Sequence, residues 1–115
     1  MRYLSVQIQP ERSPNIDMDE LSRLFQILAN RTDLVRSHSF NNGYDGGCYY
    51  NFTFETNRPS ELWLLIQQLV FQAPEHEEKM AGAAMAMCSS DQGWDDYVQL
   101  YHWDPNVPVF LGSAL

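Results

Sequence analysis

An α+β fold is predicted for this chain, and three observations predict it. Segments with a two-residue apolar period alternate with two segments of helical period, in the order β, α, β, β, α, β and one further β. Clusters of Gly, Pro, Asn and Asp separate them. The composition, 44% apolar and 13% aromatic over 115 residues, supplies one compact core but not two. That element order matches the split βαβ, or ferredoxin-like, arrangement βαββαβ(β): a mostly antiparallel sheet with two helices on one face. The expectation is therefore a single domain over residues 1–115, with an irregular C-terminal tail from about 105 to 115.

Tyr3 to Gln9 alternates strictly, with Leu4, Val6 and Ile8 on one side and Tyr3, Ser5, Gln7 and Gln9 on the other, the period of a half-buried strand. Pro10 and Pro14 end it. Asp17 then offers a helix cap, Glu20 stands where it closes a capping box, and Ile16 and Leu21 have the spacing of a hydrophobic staple. Leu21, Leu24, Phe25 and Leu28 continue as one helical stripe to about Asn30. Leu34–Phe40 and Cys48–Thr56 flank Asn41-Asn42-Gly43-Tyr44-Asp45-Gly46-Gly47, which reads as a hairpin with a long loop. In its second arm Tyr50, Phe52 and Phe54 face the core. Asn57-Arg58-Pro59-Ser60-Glu61 has Pro early in a turn with caps on either side and opens a second helix, whose stripe is Leu62, Leu65, Ile66, Leu69 and Val70 and which stops before Pro74, since the residue preceding proline disfavours helical backbone. Residues 75–83 read as a loop or helical turn, Ala84–Cys88 as a strand, Ser89–Gly93 as a turn and Asp96–Trp103 as the last strand.

Charge narrows the function classes. Fifteen acidic residues against seven basic give a formal net charge of −8, a sign that repels phosphate backbones, so direct nucleic-acid binding is not expected. The same field accelerates encounter with a basic protein, although many acidic proteins carry their charge only for solubility. The longest apolar stretch, near Leu62–Phe71, is interrupted by Gln67 and Gln68, and neither a membrane span nor a secretory signal is expected. Cys48 and Cys88 are too few for a disulfide framework, and a cytoplasmic setting is the expectation.

If both helices cover one side of the sheet, Tyr3, Ser5, Gln7, Tyr49, Asn51, Thr53, Tyr97, Gln99, Tyr101 and Trp103 remain on the other. Such a mixed aromatic and polar face suits recognition, because tyrosine and tryptophan bring large contact area and a polar tip with little entropy to lose. Packing against the tail, or across a homodimer, is the plainer account of the same rings. Asp91, Asp95, Asp96 and Asp104 lie among Trp94, Tyr97, Tyr101 and Trp103, a combination of carboxylates and anchors that fits a cationic partner. The candidate partner-binding residues are thus Tyr49, Asp91, Trp94, Asp95, Asp96, Tyr97, Tyr101, Trp103 and Asp104.

Chemistry is poorly represented. His38, His76 and His102 are scattered without metal-ligand spacing, and His76 in Glu75-His76-Glu77-Glu78 reads as part of a solvated acidic segment in preference to a weak divalent site. Neither cysteine has an electropositive sequence setting that would favour its thiolate. The glycine-rich 42–47 segment lacks the lysine and hydroxyl of a phosphate loop. No catalytic, cofactor or metal residue is assigned, and the chain is not expected to be an enzyme.

In size, acidity, aromatic patches and lack of a catalytic set, the chain resembles the cytoplasmic immunity proteins of bacterial toxin systems, many of which neutralise basic nucleases. The resemblance lies in gross attributes and covers no motif, so no residue is carried over. It implies a small acidic inhibitor that occludes a basic toxin. The alternative is a dimeric ferredoxin-like small-molecule-binding protein or enzyme subunit, in which two open sheet faces enclose a pocket; an RNA-binding sheet ranks third, because aspartates and not basic residues neighbour the rings.

Overall fold

The structure, a computed structural model, describes residues 1–112 and 115. Its elements are β1 (Arg2–Ile8), a 3₁₀ turn (Pro10–Arg12), α1 (Met18–Ala29), β2 (Ser37–Tyr44), β3 (Cys48–Thr56), α2 (Pro59–Ile66) with a wider π-helical continuation (Gln67–Phe71), α3 (Glu77–Ala83), β4 (Ala84–Ser90) and β5 (Gly93–Tyr101). One five-stranded sheet is formed in the order β2-β3-β1-β4-β5, antiparallel at every pairing. The α+β class stands. With five strands and three helices, the order is not the simple ferredoxin-like one.

β1 is the central strand, and its alternation sets the two faces. Leu4, Val6 and Ile8, all fully buried, stand opposite Phe54, Phe52 and Tyr50 on one side and Cys88, Ala86 and Ala84 on the other. Large rings on β3 and small side chains on β4 give the core an uneven floor. α1 fits the β3 side: Phe25 stacks on Phe52 with centroids 4.2 Å apart and 15° between planes. On the β4–β5 side the helices supply the bulk instead, through Trp63, Val70, Phe71 and Met80. All these residues join one apolar cluster with Leu21, Leu28, Leu62 and Ile66.

Several local expectations are corrected. The Asp17 carboxylate caps α1 by accepting from the Glu20 amide at 3.1 Å, but Glu20 does not close the box and turns its own carboxylate toward His76. Leu34 and Val35 are not strand residues; their amides bond the Arg31 carbonyl in a turn, and both side chains are buried. β2 starts later and runs through Asn41–Tyr44, which pair with Asn51, Tyr50, Tyr49 and Cys48, so the hairpin loop shrinks to Asp45–Gly47, with Gly46 at φ +68. In α2 the Gln72 amide reaches back to the Gln67 carbonyl at 2.7 Å; this wider turn leaves Leu69 partly exposed and buries Phe71. Of the loop or helical turn expected over 75–83, the structure has the helical form, α3 over Glu77–Ala83.

β5 departs most from its sequence period. Ala86 pairs with Tyr101 and Met87 with Gln99, so Leu100 is an extra residue, a bulge that breaks the alternation. The Gln99 side-chain amide donates to the Ala86 and Tyr101 carbonyls at 3.1 and 2.8 Å, filling the gap the bulge opens. Past β5, Val107 N–H bonds the Asp104 carbonyl in a turn, the chain doubles back, and Phe110 N–H reaches the Gln99 carbonyl at 2.8 Å. Leu115 then bonds Ser60 at the start of α2. The tail therefore covers the outer edge of β5 and the helical layer, not the open face of the sheet. No described helix is long and apolar enough to cross a membrane.

Candidate functional site

The side of the sheet away from the helices divides into two halves. Across β2, β3 and β1 it is a polar lattice. Asn51 donates to the Asn41 side-chain oxygen at 3.3 Å, Gln7 to Asn51 at 3.0 Å, Gln9 to Gln7 at 3.1 Å, and the Arg12 Nε to Gln9 at 2.6 Å. The Ser5 and Thr53 hydroxyls bond each other at 3.0 Å, and the Tyr3 hydroxyl donates to Glu55 at 3.2 Å. A lattice whose amides already satisfy one another is rigid and has little bonding capacity to spare.

Across β4 the same face turns apolar. Met85 and Met87 stand opposite Gln7 and Ser5, and with Asn51, Thr53 and Trp94 they line a shallow hollow of about 280 Å³. Met85 and Met87 alternate with the buried Ala84 and Ala86, a period that marks a strand without saying which face is open, and they are absent from the sequence-derived candidates. Methionine adapts its shape to different partners, and next to a tryptophan it makes a deformable contact surface.

The β4–β5 tip is where the candidates converge. Between the Cys88–Val98 and Ser90–Gly93 pairs, Ser89 alone faces Trp94, Asp95, Asp96 and Tyr97, so this short run loops out of the ladder. Trp94 is 41% exposed and Tyr97 51%. Asp95 and Asp96 are exposed between them, and among the described residues neither takes part in an ion pair.

The remaining candidates are placed elsewhere. Tyr101, expected on the open face, is turned by the Leu100 bulge into the helical layer, where its ring lies 4.3 Å from Phe71. Burial, and next to it Glu77, pushes its phenol above the ordinary tyrosine range. Trp103 is not in a strand; β5 ends at Tyr101, and the Trp103 indole lies under the Arg12 guanidinium, 4.2 Å from centroid to Cζ. Asp91 has intramolecular partners, with one oxygen 3.7 Å from both the terminal amine and Arg2 Nε. Asp104 accepts from the Asn106 amide at 2.9 Å and shapes the turn after β5. Tyr49 is on the open face, but its ring lies over Gly43 on the neighbouring strand, filling the space a side chain there would need.

Comparisons with family models, curated proteins and solved structures return no match.

The titratable groups outside the tip have structural settings. His76 is not solvated: it is 5% exposed, and among the described residues its Nε2 has no hydrogen-bond partner, 3.7 Å from Glu20. Cys48 is exposed, and a hydrogen bond to Glu11 is the main cause of a thiol pKa above the usual value. Burial pushes the Cys88 thiol up as well. These shifts disfavour a thiolate nucleophile at neutral pH.

Proposed function

We propose that this chain is a small acidic protein-binding module of the immunity type, one that covers and blocks a basic toxin or nuclease in the cytoplasm. The observation that carries the reading is the β4–β5 tip: two exposed aromatic rings flank two exposed carboxylates that make no ion pair among the described residues. Lys or Arg of a phosphate-handling partner would find charge-assisted partners in Asp95 and Asp96, while Trp94 supplies the apolar anchor. The methionine-lined hollow beside Trp94 extends that anchor over β4. A formal charge of −8 adds long-range attraction to any cationic partner.

On the same reading, β1 to β4 form a ferredoxin-like unit to which β5 is added, so that the tip projects from the added strand. The competing account, a dimeric small-molecule-binding subunit, draws on the hollow of about 280 Å³, which a second sheet face would close. Affinity capture from the native cells tests the two. Retention of a basic protein by the wild-type chain and its loss with Asp95→Lys/Asp96→Lys supports the immunity-type reading; equal capture by both chains, or none, refutes it.

A further inference from the structure

Phe110 N–H donates to the Gln99 carbonyl at 2.8 Å, and this bond fastens the tail along the outer side of β5. The chain reaches that point by turning back between His102 and Val107. Three hydrogen bonds shape the turn: Asp104 N–H donates to the His102 imidazole at Nδ1, 2.9 Å away, Asn106 N–H to the Asp104 carboxylate at 2.9 Å, and Val107 N–H to the Asp104 carbonyl at 3.1 Å. All three run through Asp104. His102 is the side chain that holds the Asp104 backbone in place, so the path of the strap from β5 to Phe110 starts at an imidazole.

A backbone N–H can only donate, so the Nδ1 that receives it offers a lone pair, and the ring is neutral with its proton on Nε2. The next proton has to enter at Nδ1. It would meet the Asp104 N–H as donor against donor, and the bond would be lost. Histidine is the side chain that ordinarily changes charge between about pH 5 and 8. The charged groups around the ring are Arg12, whose guanidinium lies 4.2 Å from the centroid of the Trp103 indole next to the imidazole, Glu77 of α3, which acts on the neighbouring Tyr101, and Asp104 itself. Arg12 repels an imidazolium, whereas Asp104 and Glu77 attract one. That attraction also works against the turn, because a carboxylate drawn to the imidazolium leaves the Asn106 amide.

We infer that His102 is an acid-sensitive clasp on the C-terminal strap: the neutral imidazole holds the 102–107 turn closed and Phe110 on β5, and protonation at Nδ1 opens the turn and uncovers the outer edge of β5. The device is built from the turn and its hydrogen bonds and does not depend on the immunity-type reading.

Amide exchange of the full chain at pH 8 and pH 5.5, with each rate divided by the intrinsic rate at that pH, tests it. Protection of the Asp104, Val107 and Phe110 amides should fall roughly tenfold or more on acidification, while the Val6 amide in the central strand keeps its protection. His102→Asn supplies a side-chain oxygen that accepts the amide two residues on, as in an Asx turn, and takes up no proton. Its strap should stay protected at both pH values, and the variant separates His102 from the other imidazoles, His38 and His76. His102→Phe, which has no acceptor, should leave the strap unprotected at both. The nitrogen shifts of the wild-type imidazole should report the Nε2–H form at pH 8. Wild-type protection that does not change with pH, a loss shared equally by Val6, an Asn variant as acid-sensitive as the wild type, or a proton on Nδ1 at pH 8 overturns the inference.

Discussion

The Tyr101 ring lies on Phe71 with centroids 4.3 Å apart and 39° between planes, and the Trp63 ring is 5.4 Å from the same Phe71. This aromatic run ties the edge strand β5 to α2 and its continuation, so Tyr101 is a packing residue. Tyr97, four residues earlier on the same strand, is 51% exposed and outside the core cluster. Tyr101→Ala should lower the unfolding free energy by roughly 2 kcal/mol or more, while Tyr97→Ala should change it by no more than about 0.5 kcal/mol. Chemical denaturation of the two variants checks this; equal losses would mean that the bulge does not separate their roles.

Tyr101 also sets an alkaline limit. Its phenol titrates above the ordinary tyrosine value, because burial, then Glu77, disfavour the phenolate in the folded state. A raised folded-state pKa holds an extra proton on the native chain, so the contribution is fully present below the unfolded value and is lost as pH rises through the folded one. Stability should fall above pH about 10, and Tyr101→Phe should flatten that fall. Unfolding midpoints measured across the alkaline range, with phenolate absorbance followed in parallel, provide the test; an unchanged slope in the Phe variant would remove Tyr101 as the cause.

His76 gives a prediction of the opposite sign. Its imidazole is buried, with Nε2 unbonded among the described residues and 3.7 Å from Glu20, beyond hydrogen-bond reach. Replacing a buried polar group that lacks a partner by an apolar one of similar size removes a desolvation cost. His76→Leu should be neutral or stabilising, whereas His76→Ala should cost roughly 2 kcal/mol through the cavity it leaves. Thermal melts of the two variants decide between them, and a Leu variant as weak as the Ala one would reveal a bond to the imidazole.

The two cysteines should separate by accessibility. Cys48 is exposed at the β2–β3 hairpin, and Cys88 is buried in the floor of the core. One thiol should react with an aromatic disulfide reagent in the native protein and two after denaturation. Because the Glu11 carboxylate raises the Cys48 pKa, first through its hydrogen bond, less thiolate is present at pH about 8 than at a free thiol. Glu11→Gln should therefore speed alkylation of Cys48 at that pH, and an unaltered rate would rule out the contact.

How far the sequence could be read depended on whether local pattern and tertiary pairing agree. β1 alternates cleanly over Leu4–Ile8 and β3 over Phe52–Thr56 because each buries one face there, and α1 has its cap at Asp17 and a regular stripe. Asn41–Gly43 have turn chemistry yet lie in a strand, since β3 offers them partners and Tyr49 covers the glycine; cross-strand pairing outweighs propensity there. The bulge at Leu100 has no glycine or proline to announce it, and one extra residue moved Tyr101 to the other face. For the same reason the candidate cluster divided: Trp94, Asp95, Asp96 and Tyr97 remain together at the tip, while Tyr101 and Trp103 make internal contacts. Met85 and Met87 were legible as a strand but not as a surface, because apolar residues on the open face have the same period as apolar residues in the core.

At the tip, charge and ring should act on different steps of binding. Asp95 and Asp96 are exposed and far from desolvated, so their field acts mainly before contact, on the rate of encounter. Trp94 borders the hollow lined by Met85 and Met87, so its burial by a partner would govern how long the complex lasts. Once a partner is captured, Asp95→Lys/Asp96→Lys should slow association at low salt by roughly tenfold, with dissociation little changed, and the difference should shrink as salt is added. Trp94→Ala should leave association within about threefold and speed dissociation by roughly thirtyfold or more, the loss expected of an anchoring tryptophan. Both variants should melt like the wild type, because neither site belongs to the apolar cluster that holds the fold together. Surface-based kinetics at two ionic strengths separates the two effects. Association rates insensitive to the aspartates would exclude steering by this segment, and a Trp94→Ala complex as long-lived as the wild type would exclude the ring as the anchor.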